Sequence, residues 1–270
     1  MSSTAQAIDA PRWTRREVEA PGGATLSVDH GAGEGAWRVV VIPGAPSRRH
    51  MTARLRGTAP REYEVVAPLR AGYGGPGYGA DARPAVLDFD DQVAALRPLI
   101  SAGERKSILI GISYGGLISL GCALAAPERV AGVVLVAPFV TEPRGWVRAV
   151  LPLADVAPIR AVLPRYLKNA RAEVDARRPQ VAPLLDRLGA LARPVILLHG
   201  DIDALVPLSD SRLLAERLPA ACAPELRVAR LGGHYLELER PRWIWSAVRC
   251  VIARAEARAK TANPLPEACP

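Results

Sequence analysis

The feature that most constrains this chain is the hexapeptide Gly111-Ile112-Ser113-Tyr114-Gly115-Gly116, set between an apolar run (SILI) and a longer apolar stretch (LISLGCALAA). The first run reads as a buried strand and the second as a buried helix, so the hexapeptide has to turn the chain sharply from one to the other. Glycines around a serine leave room for a backbone approach that a Cβ would block. This is the G-x-S-x-G setting, in which the serine sits on a strained turn between strand and helix. Phosphate-binding turns follow other patterns, G-x-x-x-x-G-K-[ST] or G-x-G-x-x-G, and neither is found at this turn.

The flanking sequence extends the same theme. Apolar runs at Trp37 to Ile42, Tyr63 to Ala67, Ser107 to Ile110, Gly132 to Ala137, Pro194 to His199 and Glu225 to Arg230 alternate with stretches of helical spacing such as Asp88 to Ile100 and Leu117 to Ala126. That alternation predicts an α/β fold, a mainly parallel sheet with helices on both faces. One or two antiparallel strands are expected before Gly31. The interval from Ala137 to Pro194 is too long for one connecting helix, and Pro143, Pro152, Pro158 and Pro164 break it into short pieces. It reads as a small helical cap over residues 141–188, inserted in a core of residues 1–140 and 189–260. Residues 261–270 (TANPLPEACP) carry three prolines and read as a flexible tail.

A serine hydroxyl needs a base within hydrogen-bond reach, and the base needs a group to orient it. Of the four histidines, His234 follows the last expected strand in a Gly-Gly-His turn and is the candidate base. His199 ends a strand and reads as structural, His50 lies on a surface helix and His30 in an N-terminal turn. Asp203, just after the strand ending at His199, is the candidate acid, with Asp201 as runner-up. The order serine, acid, histidine is the one that the G-x-S-x-G folds use. Backbone donors for a developing oxyanion are expected from the N–H groups of Tyr114 and Ala45, the latter in the Pro43-Gly44-Ala45-Pro46 loop.

The cap residues Trp146, Val147, Val150, Leu151, Leu153, Val156, Ile159, Val162 and Leu163 supply more apolar surface than short helices bury among themselves. Their undersides either line an apolar pocket above Ser113, with Trp146 and Val150 as substrate-binding candidates, or complete the core. After the Ala45 loop, Arg48, Arg49, Arg54 and Arg56 form a solvated face, or else Arg48 or Arg49 steers an anionic substrate.

The formal charge of +8 comes without any block of like charge, and no nucleic-acid-reading module is recognisable. No apolar run reaches the roughly 20 residues of a membrane helix, and the N-terminus lacks a signal-peptide pattern. The expected setting is the cytoplasm. Cys122, Cys222, Cys250 and Cys269 have no zinc-like or disulfide-like spacing. No metal or organic cofactor is implied, and oligomeric state is not encoded in any pattern here.

The segments GISYGGLISLGCALAAPERVAGVVLVAP, HGDIDALVP and GGHYLELERP resemble the elbow, acid loop and histidine loop of the α/β-hydrolase superfamily, its esterase-like and lipase-like serine hydrolases above all. The resemblance covers roughly Trp37 to Arg249 and leaves the cap unmatched. It implies Ser113 as nucleophile, Asp203 and His234 as its partners, and hydrolysis of a carboxylic ester or related acyl bond of a small molecule; the apolar residues around Trp146 add the expectation of an apolar acyl group. Acyl transfer, or a non-hydrolytic cyclase or binding role, remains the alternative. Two departures stand out: Pro43-Gly44 replaces the usual His-Gly, and Pro68-Leu69-Arg70-Ala71-Gly72-Tyr73-Gly74 replaces Asp-x-Arg-Gly-x-Gly.

Overall fold

A computed structural model describes residues 13–74 and 86–262. They build one eight-stranded sheet in the order β1-β2-β4-β3-β5-β6-β7-β8. The strands are β1 (Trp13–Ala20), β2 (Ala24–Gly31), β3 (Trp37–Ile42), β4 (Tyr63–Pro68), β5 (Lys106–Ile112), β6 (Val130–Val136), β7 (Val195–Gly200) and β8 (Glu225–Ala229). Strands β1 and β2 pair antiparallel with each other and β2 antiparallel with β4, while all remaining pairs are parallel. The helices are α1 (Ala53–Gly57), α2 (Phe89–Ser101), α3 (Tyr114–Ala125), α4 (Gly145–Val150), α5 (Ala157–Val162), α6 (Arg165–Ala176), α7 (Arg178–Arg187), α8 (Leu208–Arg217), α9 (Leu236–Glu239) and α10 (Pro241–Ala262). Thr261 and Ala262, expected in a tail, complete α10, and the rest of that tail lies outside the described residues.

The strand sequences explain the two-sided core. In β3, Val39 and Val41 join one apolar cluster while Val40 and Ile42 join the other, because successive side chains point to opposite faces. The first cluster packs under α1 and α10 around the buried Trp245, and the second under α2, α3, α7 and α8. Strand β6 (VAGVVLV) is buried at every position, as a parallel strand covered on both faces must be. Connections from β3 run toward β4 and those from β5 run toward β6, so the chain diverges between the adjacent strands β3 and β5. A crevice opens at such a divergence, at the carboxyl ends of the strands. No helix of the described residues is long and apolar enough to cross a membrane. Cys122, Cys222 and Cys250 are free thiols, and Cys269 lies outside the described residues.

Helices α4 to α7 stand between β6 and β7, and α6 is tied down by buried polar contacts. Arg70, which follows β4, and Glu173 of α6 form a fully buried ion pair. The second Arg70–Glu173 contact is 2.8 Å, and the same carboxylate accepts from Tyr73 Oη at 2.7 Å and from Gln92 Nε2 at 3.0 Å. Burial alone would pull the Arg70 guanidinium toward deprotonation, and Glu173 reverses this and holds it charged. Asn169 Nδ2 adds a bond to the Gly72 carbonyl at 2.9 Å. Because the pair is wholly desolvated, removing one partner leaves a bare charge. Glu173→Ala should therefore cost about 3–5 kcal/mol in urea unfolding.

Glu237 of α9 is a second buried carboxyl, with Oε2 lacking a hydrogen-bond partner. Burial pushes it up to about 8, and the charges of Glu239 and Asp203 push the same way. A carboxyl raised in the folded state holds its proton longer than in the unfolded chain. Stability should fall by up to about 1.4 kcal/mol per pH unit between roughly pH 4 and pH 8 on its account. Urea midpoints across that range should show the decline in the parent and lose it in Glu237→Gln.

Candidate active site

Ser113 stands between β5 and α3 with φ 52° and ψ −121°, a backbone conformation that side chains disfavour. The surroundings fix it there. Its N–H donates to the Val136 carbonyl at 2.8 Å, and its own carbonyl accepts from Gly116 at 2.9 Å and Phe139 at 3.2 Å. The flanking glycines are sterically required: a Cβ on Gly111 would lie 2.2 Å from Ser119 Oγ, and one on Gly115 would lie 2.3 Å from the Ile42 carbonyl oxygen.

The loop after β8 brings His234 back to this turn, and the loop after β7 brings Asp203. His234 Nε2 is 3.1 Å from Ser113 Oγ, and His234 Nδ1 is 2.7 Å from Asp203 Oδ2. An ionised carboxylate only accepts, so Nδ1 carries the proton and Nε2 is left to receive one from serine. The other carboxylate oxygen accepts from the N–H groups of Leu205 at 2.8 Å and Val206 at 2.9 Å. Asp201 is exposed and its N–H bonds the Ala229 carbonyl, so it is the buried Asp203 that meets the imidazole.

Sequence reasoning missed a second imidazole on the same acid. His199 Nε2 lies 3.4 Å from Asp203 Oδ2, while its Nδ1 is 2.7 Å from Ser211 Oγ. Burial pushes the Asp203 carboxyl up, but hydrogen bonds from His199, His234 and the Val206 amide outweigh it and hold the group well below the ordinary carboxylate range. Asp203 therefore stays ionised wherever the protein is folded near neutrality. Its bonds add stability above the unfolded pKa of about 3.9, and that contribution is lost as pH falls through the lower folded value.

The loop after β3 passes directly over the serine. A Cβ on Gly44 would come within 3.0 Å of Ser113 Cβ, so glycine is what permits the approach. Here Arg70 has its second role. Its Nε donates to the Pro43 carbonyl at 3.0 Å and its Nη2 to the Gly44 carbonyl at 2.9 Å, while Ser47 Oγ accepts from the Arg70 amide at 3.0 Å. With those carbonyls held by arginine, the loop keeps a fixed position beside the nucleophile despite lacking the usual histidine. Sequence reasoning gave Arg70 no role, and its partner Glu173 is 103 positions away.

Ser113, Tyr114, Ala45 and His234 all line one cavity of about 310 Å³, walled by apolar side chains from the cap, among them Val147, Leu151, Leu163, Leu167 and Val174. The two cap residues expected to bind substrate do not line it. Trp146 is 57% exposed and its Nε1 donates to the Ala204 carbonyl at 2.8 Å, and Val150 is also exposed. The reason is helical phase: on α4, Val147 and the following Leu151 are four apart on the inner face, which turns Trp146 and Val150 outward. Arg48 and Arg49 are not cavity residues either. Arg49 is paired with Asp29, which also holds Arg56 at 2.7 Å, and Arg48 lies over the Tyr166 ring at 4.2 Å. No cluster of metal-ligating side chains is found among the described residues.

Comparison with known proteins bears on the fold and the family. The family model described as the alpha/beta hydrolase family matches residues 39–247. The chain is 26% identical to the pimeloyl-[acyl-carrier protein] methyl ester esterase of Aliivibrio fischeri (strain MJ11) over 179 residues, 53% of this chain and 68% of that one. It is 26% identical over 276 aligned positions to the 2-hydroxymuconate semialdehyde hydrolase of Pseudomonas sp. (strain CF600), covering 88% of this chain and 89% of that one. Among solved structures, an esterase from Exiguobacterium antarcticum superposes with a TM-score of 0.69 at 18% identity, over 88% of this chain and 99% of that one. With a matched model spanning most of its sheet and the loops that carry Ser113, Asp203 and His234, the chain belongs to the alpha/beta hydrolase family.

Proposed function

We propose that this protein is a serine hydrolase that cleaves carboxylic esters of small molecules with an apolar acyl group. One observation carries the reading: the hydrogen-bonded series Ser113, His234, Asp203 opens onto an apolar cavity. Ester-hydrolysing and related hydrolytic relatives support it. In the proposed reaction His234 Nε2 takes the Ser113 proton as Oγ attacks the ester carbonyl carbon, and the negative charge passes to the carbonyl oxygen. The N–H groups of Tyr114 and Ala45 are the proposed donors to that oxyanion. Collapse releases the alkoxide, which leaves as the alcohol with the proton from His234, and the acyl group stays on Ser113. Water, deprotonated by His234, then attacks the acyl-enzyme and frees the acid. Asp203 holds the imidazole in the correct tautomer and stabilises its cation throughout.

Ser113→Ala should abolish turnover and labelling by a fluorophosphonate probe, while His234→Ala falls comparably because these groups act as a unit. Activity within about tenfold of the parent in Ser113→Ala would end the proposal. Asp203→Asn should be far more damaging than Asp201→Asn in the same assay.

The cavity wall sets the expected selectivity. Each added CH₂ in the acyl chain should improve binding by up to about 0.8 kcal/mol until the cavity is full. Leu151→Ala should raise KM for hexanoate and octanoate esters more than for acetate, whereas Trp146→Ala should leave the chain-length profile unchanged.

A further inference from the structure

In the segment from Arg144 to Val162 only Val147, Leu151 and Ala154 are half-buried, the rest being exposed, and these three line the cavity. The same segment exposes Trp146, Val150, Leu153, Val156, Ile159 and Val162, the last at 81%. Neither α4 nor α5 buries a single residue. Trp146 is bonded to Ala204, and Ile202 and Leu231, on loops joined by the Ile202 N–H bond to Gly232, are 58% and 70% exposed. Isolated exposed apolar residues are ordinary, but six large ones within residues 146–162 mark a binding surface.

Charge selects among its occupants. Along residues 144–165 the exposed cations are Arg144, Arg148, Arg160 and Arg165, against one carboxylate, Asp155, which is itself paired with Arg171 at 2.8 Å, and the exposed Asp201 stands beside Ile202. A second copy docked through the same face would set these arginines against their own counterparts. An anionic bilayer meets both demands at once, with headgroup phosphates for the guanidiniums and the acyl boundary for Trp146 and the valines. The whole chain, at +8, is drawn the same way.

The geometry points to the outer face of residues 144–162 as a docking surface for anionic phospholipid membrane, with α4 and α5 lying in the interface plane. This is independent of the proposed esterase activity, since binding is read without turnover. The full-length protein should sediment with equimolar phosphatidylglycerol–phosphatidylcholine vesicles, and about tenfold less with phosphatidylcholine alone. The double variants Val156→Ser with Val162→Ser, and Arg148→Gln with Arg160→Gln, should each lower that partitioning by about tenfold while retaining the parent's melting temperature. Failure of the parent to sediment, equal partitioning into both vesicles, or partitioning indifferent to both pairs of substitutions would each overturn the inference. So would light scattering that shows a dimer which the valine substitutions dissociate, because the occupant would then be a second copy.

Discussion

Everything at this site depends on how closely α3 comes to the end of β3. The first turn of α3 approaches so near that a methyl group on Gly115 would fall 2.3 Å from the Ile42 carbonyl oxygen. That contact places the turn after β5 against the loop after β3, at the point where the sheet's connections diverge. Ser113 takes its disfavoured φ of 52° because bonds to Val136, Gly116 and Phe139 over-determine it. A serine so held is presented to both loops without a search through rotamers of a flexible backbone.

Buried charge does the positioning that packing alone leaves undone. Arg70 spends its donors on Glu173 and on the carbonyls of Pro43 and Gly44, so one guanidinium fixes the loop over Ser113 and couples it to α6 of the cap. Asp203 is fixed in the same manner, by two backbone amides on one oxygen and two imidazoles near the other. Each carboxylate is desolvated and each is compensated by several donors, the condition under which a buried charge orients its neighbours rather than unfolding them. Glu237 lacks that compensation and keeps its proton instead.

The stretch from α4 to α5, between β6 and β7, follows different rules from the sheet. Its short proline-broken helices turn Val147, Leu151, Ala154 and Leu163 to the cavity wall. The sequence offered two fates for the apolar residues of this stretch, pocket or core: Val147, Leu151 and Leu163 line the pocket, and Trp146, Val150, Leu153, Val156, Ile159 and Val162 adopt neither. They face solvent, where the arginines between them give the surface a sign.

The sheet and the candidate site were legible in the sequence because their signals are local. A strand such as Trp37–Ile42 announces itself by its apolar run, and an elbow such as Gly111 to Gly116 by glycines only close backbone contact requires. The pattern also narrowed the histidines to His234 and the acids to a pair two residues apart. What it left open was decided by tertiary structure alone. Burial chose Asp203 over Asp201, and helical phase relative to the sheet turned Val147 and Leu151 inward and Trp146 and Val150 outward. The Arg70–Glu173 pair joins residues 103 positions apart. Neither side chain carries any mark of the other, since an ion pair leaves no periodicity and is specified only when the folded chain excludes water from both.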